Sequence, residues 1–490
     1  MADVQGPEAD VLAGRQGGSA TLDATAPLIQ PEPITCEPTV AVVAAPQPTL
    51  TSQHTSSFAE LLDQLGISLA VTTYQAGKLV LLSAENGTIN THFQSFNKPM
   101  GLAVAGDRLA IGTALEIWEY HNAPAVAKRV GRVRDGESRG SAGEEGTGTQ
   151  QLTLDSCFLP RGSQTTGDIQ IHEMLWTSFN RTPQARAFPS IQAASHDQNA
   201  HACGLRLNES VPSGESELWF INTRFSCLCT RDFRYTFVPR WRPPFISAIA
   251  PEDRCHLNGF CEVPPSFNRT PQARAFPSIQ AASHDQNAHA CGLRLNEPSF
   301  FVTALGETDT QGGWRADKRS GGILMETGSN EVLLRGLSMP HSPRVFNNQL
   351  WVCESGTGTI GRVDLQAGRY EPIASLPGFT RGVDFHGRYA FIGLSQVRES
   401  AVFSGIPIAE RPLSERACGV WVIDMVTGET VAWLKFDDGV QEIFAVTVLP
   451  NSRWPDLIND QPKLIADSFI LPDESLDSVP VDLRFIEAHS

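Results

Sequence analysis

Three histidines carry the strongest chemical signal in the chain. His172, His256 and His341 stand near the starts of three separate short runs of β-branched and aromatic residues, and Arg381 takes the matching place in a fourth. The runs can be aligned on those that follow them, Leu109-Ala-Ile, Leu218-Trp-Phe, Leu350-Trp-Val and Ala390-Phe-Ile. Met100, His172, His341 and Arg381 then fall in one column, joined by Asn258. His256 lies two residues before Asn258, on the same face of an extended strand. Gln441 and Glu442 hold similar places in the last run. A packed core would fill such a column with apolar residues, and here it is polar in most runs.

Two chemistries suit the set. Imidazoles from separate strands, His172, His256 and His341 with Glu442 as a carboxylate, are the ligand types of a Zn, Fe or Mn centre, and such a centre would make the protein a metal-dependent hydrolase or lyase. Without a metal, the same histidines with Arg381, Asn258, Gln441 and Glu442 would bind a polar small molecule, glycan or peptide. Arg224, Glu307, Glu354 and Arg398, with Asn222, Asp309, Gln396 and Glu399, fall in loops on the same side and add charge to that pocket. The plain structural alternative is a solvated channel.

The elements that must position these groups are short. From Leu337 to Leu376 the chain reads as four strand-like runs punctuated by Asn347-Asn348, Ser355-Gly-Thr-Gly and Gln366-Ala-Gly, a four-stranded antiparallel meander. One meander cannot bury both faces, but repetition around an axis makes it a propeller blade. Six such units are expected over 57–452, with five and seven as the neighbouring counts. The first unit, from Ile67, has only three strands, and one strand, Gln441 to Leu449, is left over at the other end. Pairing the two closes the ring and hides both edges. Residues 1–56, rich in Pro, Thr and Ala, read as a disordered leader, 131–155 as a flexible loop, and 453–490 as an acidic tail.

The same 32 residues occur at 178–209 and again at 266–297. Neither copy has strand periodicity, and each falls between the first and second strands of a blade, on the face opposite the polar column. His196, His201 and Cys203, with His284, His289 and Cys291, could hold a metal between the copies. The leading reading is an insertion tolerated in exposed hairpins. Lengthening a loop from ~4 to ~36 residues costs about 2 kcal/mol of closure entropy.

Composition removes several function classes. A formal net charge of −16 over 490 residues, with no basic stripe, argues against nucleic acid. No stretch reaches the ~20 apolar residues of a membrane span, and the N-terminus has no signal-peptide pattern, so the expected compartment is the cytoplasm. The 10 cysteines are then expected as free thiols. Cys227 and Cys229, one residue apart, should be buried in a strand. No Gly-x-Ser-x-Gly, P-loop or Rossmann fingerprint is present. Trp241 and Trp314, each beside Arg, either stack on a ligand ring or pack on their own loops. A protein-interaction scaffold is the third functional reading.

Several strings are distinctive: Gln75-Ala-Gly-Lys-Leu, Gly167-Asp-Ile-Gln-Ile-His-Glu, Arg240-Trp-Arg-Pro-Pro-Phe-Ile-Ser, Phe403-Ser-Gly-Ile-Pro-Ile-Ala-Glu-Arg and Gln441-Glu-Ile-Phe-Ala-Val. Together they resemble an uncharacterised bacterial family of conserved hypothetical proteins, a domain of unknown function, over about Phe58 to Asn459. The two copies and the Gly/Ser-rich loop near Arg139 depart from its pattern. The resemblance implies a propeller-like fold and transfers no catalytic residue.

Overall fold

The computed structural model describes residues 50–127, 132–133, 151–152, 154–178, 216–267, 298–397 and 404–459, with short pieces between 461 and 480. Most of the leader, the greater part of loop 131–155, and Arg398 and Glu399 lie outside the described residues. So do both copies except Ser178, Ser266 and Phe267, and with them the six residues of the second metal reading.

The strand runs are apolar on both faces because each sheet is covered on both. In Ser216–Asn222, Leu218 and Phe220 face one neighbouring sheet while Trp219 and Ile221 face the other. The described residues form six such blades. Blade 1 comprises Ser68–Thr73, Lys78–Glu85 and Thr88–Ser95, with Ala445–Leu449 as its innermost strand. Blade 2 runs Leu102–Ala105, Arg108–Gly112, Glu116–Asn122 and Ser156–Thr165. Blade 3 runs Ile171–Ser178, Ser216–Asn222, Cys227–Asp232 and Tyr235–Trp241. Blade 4 is Leu257–Glu262, Phe300–Ala304, Gly322–Glu326 and Val332–Leu337. Blade 5 is Pro340–Phe346, Gln349–Glu354, Thr359–Asp364 and Arg369–Ser375. Blade 6 is Phe379–His386, Tyr389–Ser395, Gly419–Asp424 and Thr430–Phe436.

Each innermost strand packs beside the next, and that of blade 6 returns to Ala445–Leu449 of blade 1. The all-β, six-bladed ring expected from the sequence is therefore the fold, closed by N- and C-terminal strands in one sheet. Six apolar layers fill the six gaps between blades.

At the inner rim every gap is stitched by a hydrogen bond to the carbonyl at the start of the next blade. Side chains donate in five of them: Thr72 to Met100 O, Thr223 to Leu257 O, Asn258 to Pro340 O, Ser355 to Thr380 O and Ser395 to Ile443 O. Between blades 2 and 3 the donor is the Gly101 N–H, to Ile171 O at 3.0 Å. Each ties the carbonyl at the start of one blade to the blade before it.

Three boundaries differ from the sequence reading. Ser52–His54, placed in the leader, pairs with Leu434–Phe436 on the outer edge of blade 6, and the helix Ser56–Leu65 follows. Its Phe58, Ala59 and Leu62 seal the gap between blades 6 and 1. Pro455–Leu457, placed in the tail, adds in parallel to Ser156–Phe158 on the edge of blade 2. Both additions cover an exposed sheet edge. The strand Ser156–Thr165 itself escaped the reading because a bulge at Pro160–Gly162 breaks its alternation directly after a loop rich in Gly and charge. No helix among the described residues is long and apolar enough to cross a membrane.

Candidate functional site

The inner strands of blades 3 to 6 are irregular at one level. Their ladders slip between Ile171 and Met174, Leu257 and Gly259, His341 and Arg344, and Thr380 and Val383. The inner strands of blades 1 and 2 keep an unbroken register. A bulge inserts an extra residue and turns two successive side chains to one side. Four bulges at matching height thus bring Glu173 beside His172, and Ser342 and Gly382 beside His341 and Arg381. Together with Asn258, Arg344, Leu102 and Phe444 to Thr447 they line a single well on the axis.

His172 and His341 are held by the same device. The Nδ1–H of His172 lies 3.0 Å from Gln170 O and 2.9 Å from Thr223 Oγ1. That of His341 lies 2.9 Å from Met339 O and 3.0 Å from Ser355 Oγ. Thr223 and Ser355 are the hydroxyls that stitch blade 3 to 4 and blade 5 to 6, so their own protons are committed to carbonyls. The proton of each ring is therefore fixed on Nδ1, and Nε2 keeps a lone pair with no hydrogen-bond partner among the described residues. Burial holds the His172 imidazole well below its ordinary pKa of 6.5, with His256 and Arg381 adding to the shift. Burial, then Arg381 and His256, do the same to His341. Both rings are neutral at physiological pH.

Arg381 is the cation of the well. Its guanidinium carbon lies 3.4 Å from the centre of the Phe444 ring, which also has His172 at 4.8 Å and Tyr74 at 6.3 Å. Burial lowers its pKa from 12.5 to about 10, against the pull of Glu442 and Glu173, so it stays charged. Among the described residues its guanidinium has no hydrogen-bond acceptor and no carboxylate at ion-pair distance. Glu173, by contrast, is satisfied: Arg344 lies 2.5 Å away and the Phe260 N–H donates to it at 2.7 Å. Burial pushes the Glu173 carboxyl up, and these two donors pull it back. The space that a water centre can occupy among these walls is ≈ 10 Å³, about enough for one water. A space of that size has room for a water-sized group and not for a whole small molecule.

The predicted residues divide accordingly. His172, Asn258, His341 and Arg381 line the well, and His256 lies against His172, ring centres 4.7 Å apart at 90°. Asn258 is fully engaged, donating to Pro340 O and accepting from Thr303 at 2.7 Å, so its role is to hold blades together. Glu442 reaches Arg381 only through its field. Gln441 is bound to Gln75 and, through its carbonyl, to the Gln396 N–H.

The loop residues point elsewhere. Arg224 donates to Asp168 O, Glu307 pairs with Arg335 on the exposed rim, and Glu354 caps the turn through Ser338 N and Thr357. Trp241 and Trp314 are both buried and donate to Asn330 and Asp253, so neither is a stacking platform. Cys227 and Cys229 are buried thiols, as expected.

The metal centre is not assembled. Among the described residues no group of three or more His, Cys, Asp or Glu could hold a metal ion. Two features explain this. The Nδ1 of His256 is bound to Asp253 at 2.9 Å while its ring packs against His172 and Trp314 instead of converging on a common point. The Arg381 guanidinium brings a positive charge into the space a cation would need.

Sequence reasoning missed Glu173, Arg344 and Phe444. Strict alternation turned Glu173 away from the axis, and no residue type announced the bulge that brings it in. Phe444 was passed over for its polar neighbours Gln441 and Glu442, because strand pairing begins only at Ala445.

The pattern of a family described as "Domain of unknown function (DUF4915)" matches residues 56–267 and 266–458. No curated protein matches the chain. Among solved structures, a chain of a nidogen/laminin complex is similar at 8% identity and a TM-score of 0.39, over 78% of this chain and 98% of that one. A protein of unknown function from Bacteroides caccae gives 8%, 0.38, 78% and 98%. A computationally designed protein, Ika8, gives 8%, 0.27, 75% and 80%. At these scores the likenesses carry no functional argument.

Proposed function

Because the chain belongs to the DUF4915 family, whose description assigns no activity, we propose a function from the well itself: the protein binds a polar small molecule through an anionic head group that Arg381 takes in at the mouth of the central channel. One observation carries the reading. A guanidinium with five N–H donors sits buried to the point of a lowered pKa, over the Phe444 ring, with no protein acceptor among the described residues. Leaving such a group unmatched costs free energy that an anion would recover. The narrow well confines recognition to the head group, and the remainder of the ligand, a glycan or peptide included, would lie outside on the loops of that face.

The compartment that fits is the cytoplasm. Cys227 and Cys229 are both buried in a strand, their sulfurs 3.5 Å apart and not joined to each other.

The test is a thermal-shift and calorimetric screen of small carboxylates, phosphates, acidic sugars and short peptides on the wild type and Arg381→Gln. Ligands found on the wild type should lose about 1.5–3 kcal/mol of affinity on the variant, the scale of a charge-assisted hydrogen bond. Hits that bind the variant equally well would place the site elsewhere.

A further inference from the structure

The well offers more than a cation, and its second feature narrows the ligand. His172 and His341 are each more than nine-tenths buried and line the same space as Arg381. Their protons are fixed on Nδ1 by Gln170 O and Met339 O, whose carbonyls can only accept. Each Nε2 is therefore an acceptor and cannot become a donor by exchanging tautomer without breaking two hydrogen bonds. The hydroxyls of Thr223 and Ser355 cannot adapt either, since each donates to a carbonyl of the next blade.

We infer, resting on the reading of Arg381 above, that the head group is an oxyanion carrying its own O–H donor: a hydrogen phosphate or phosphomonoester in its protonated form, or a 2-hydroxycarboxylate. Arg381 donates to the charged oxygens, and the imidazole lone pairs accept the ligand's hydroxyl. An oxyanion without a proton sets its lone pairs against those of Nε2 and leaves a buried acceptor unmatched, the situation that buried hydrogen-bonding sites reject most strongly. The remaining charges do not alter this complement. Glu173 is committed to Arg344, Asp253 to His256 and Trp314, and Glu442 acts on Arg381 only from a distance.

The test compares anions matched in size and shape. Full-length protein at about pH 8 is titrated calorimetrically with inorganic phosphate against sulfate, and with glycolate against acetate. Phosphate still carries an O–H at that pH and sulfate does not. The inference expects at least about a tenfold preference for the O–H-bearing member of one pair, and the pair that shows it identifies a phosphoryl or a hydroxycarboxylate source. His341→Asn keeps an N–H near the place of Nδ1 and removes Nε2, so it should reduce the preference to about threefold or less while anion binding persists.

Sulfate binding as well as phosphate, and acetate as well as glycolate, would overturn this inference while leaving Arg381 as the anchor, provided Arg381→Gln abolishes both. Absence of binding by all four anions at millimolar concentration would overturn it together with the reading beneath it. Should His341→Asn fail to fold, the wild-type comparison decides alone.

Discussion

Lowering the pH should destabilise the propeller through two particular side chains. His172 and His341 are 9% and 3% exposed, and burial depresses the pKa of both below 6.5. The unfolded chain protonates these rings near the ordinary value of about 6.5, while the folded chain resists until a lower pH. Between those limits the unfolded state binds more protons, so stability falls as pH falls. Well above 6.5 neither state is protonated and the rings contribute no slope. Each ring then removes up to RT ln(1 + 10^(6.5 − pH)), about 1.4 kcal/mol at pH 5.5, and the pair up to about 2.8 kcal/mol.

Glu173 and Asp384, whose carboxyls burial pushes up, act in the opposite sense, because the folded state takes up their protons first. The histidine contribution is therefore best read by difference. Urea unfolding of the wild type, His172→Asn and His341→Asn at pH 7.5 and 5.5 should show each variant losing up to about 1.4 kcal/mol less than the wild type over that interval. Asparagine retains a donor for Gln170 O or Met339 O and cannot titrate. Equal losses in all three proteins would mean that the rings titrate freely and are not the fixed acceptors described above.

Three further outcomes follow from the fold. Truncation after Asp438 removes Ala445–Leu449, the strand that pairs with Ser68–Thr72, and should abolish cooperative melting and cause aggregation, whereas deletion of 460–490 should leave the melting temperature nearly unchanged; a monomeric, normally melting 1–438 would place closure elsewhere. Deleting 178–209 and 266–297 together should preserve the β circular dichroism and hold or raise the melting temperature, since strands joined in the ladder flank both segments and about 2 kcal/mol of closure entropy per loop is recovered; a soluble product without β signal contradicts this. Glu173→Gln should cost about 3 kcal/mol, the low end for breaking a buried ion pair, because Arg344 keeps 26% of its side chain exposed; denaturant titration checks it, and a loss below about 1 kcal/mol would show the pair to be dispensable.

The ring was legible because its strands obey local rules. Asn347-Asn348 and Gln366-Ala367-Gly368 sit where hairpins turn, and runs such as Glu217-Leu-Trp-Phe-Ile are apolar on both faces because two gaps need filling. The closure was legible as arithmetic, three strands at one end and one at the other. Features that depend on distant partners left no such mark. Nothing in Ser52-Gln-His or Pro455-Asp-Leu distinguishes an edge-covering strand from a tail, since what makes them strands is the open edge of a sheet far away in the sequence.

The site was half legible for a related reason. The column of His172, His341 and Arg381 follows from aligning blades on their second strands, which are regular. What converts that column into a polar well is the slip in the first strands, and a slip breaks the periodicity by which strands are read. Where blades 1 and 2 keep their register, the wall is Leu102, Phe444 and Val446; where blades 3 to 6 lose it, the wall is imidazole, carboxylate, hydroxyl and guanidinium. A regular strand turns only alternate residues toward the axis, too few to seat both a charged group and the partner that neutralises or aims it. The bulge supplies the second residue, Glu173 beside His172 and Ser342 beside His341, and so satisfies some of the well's polar groups while Arg381 and two imidazole lone pairs stay open. The chemistry of this propeller is thus concentrated where its regularity fails, and a search for function in related chains should begin at the first-strand bulges, not at the strand register.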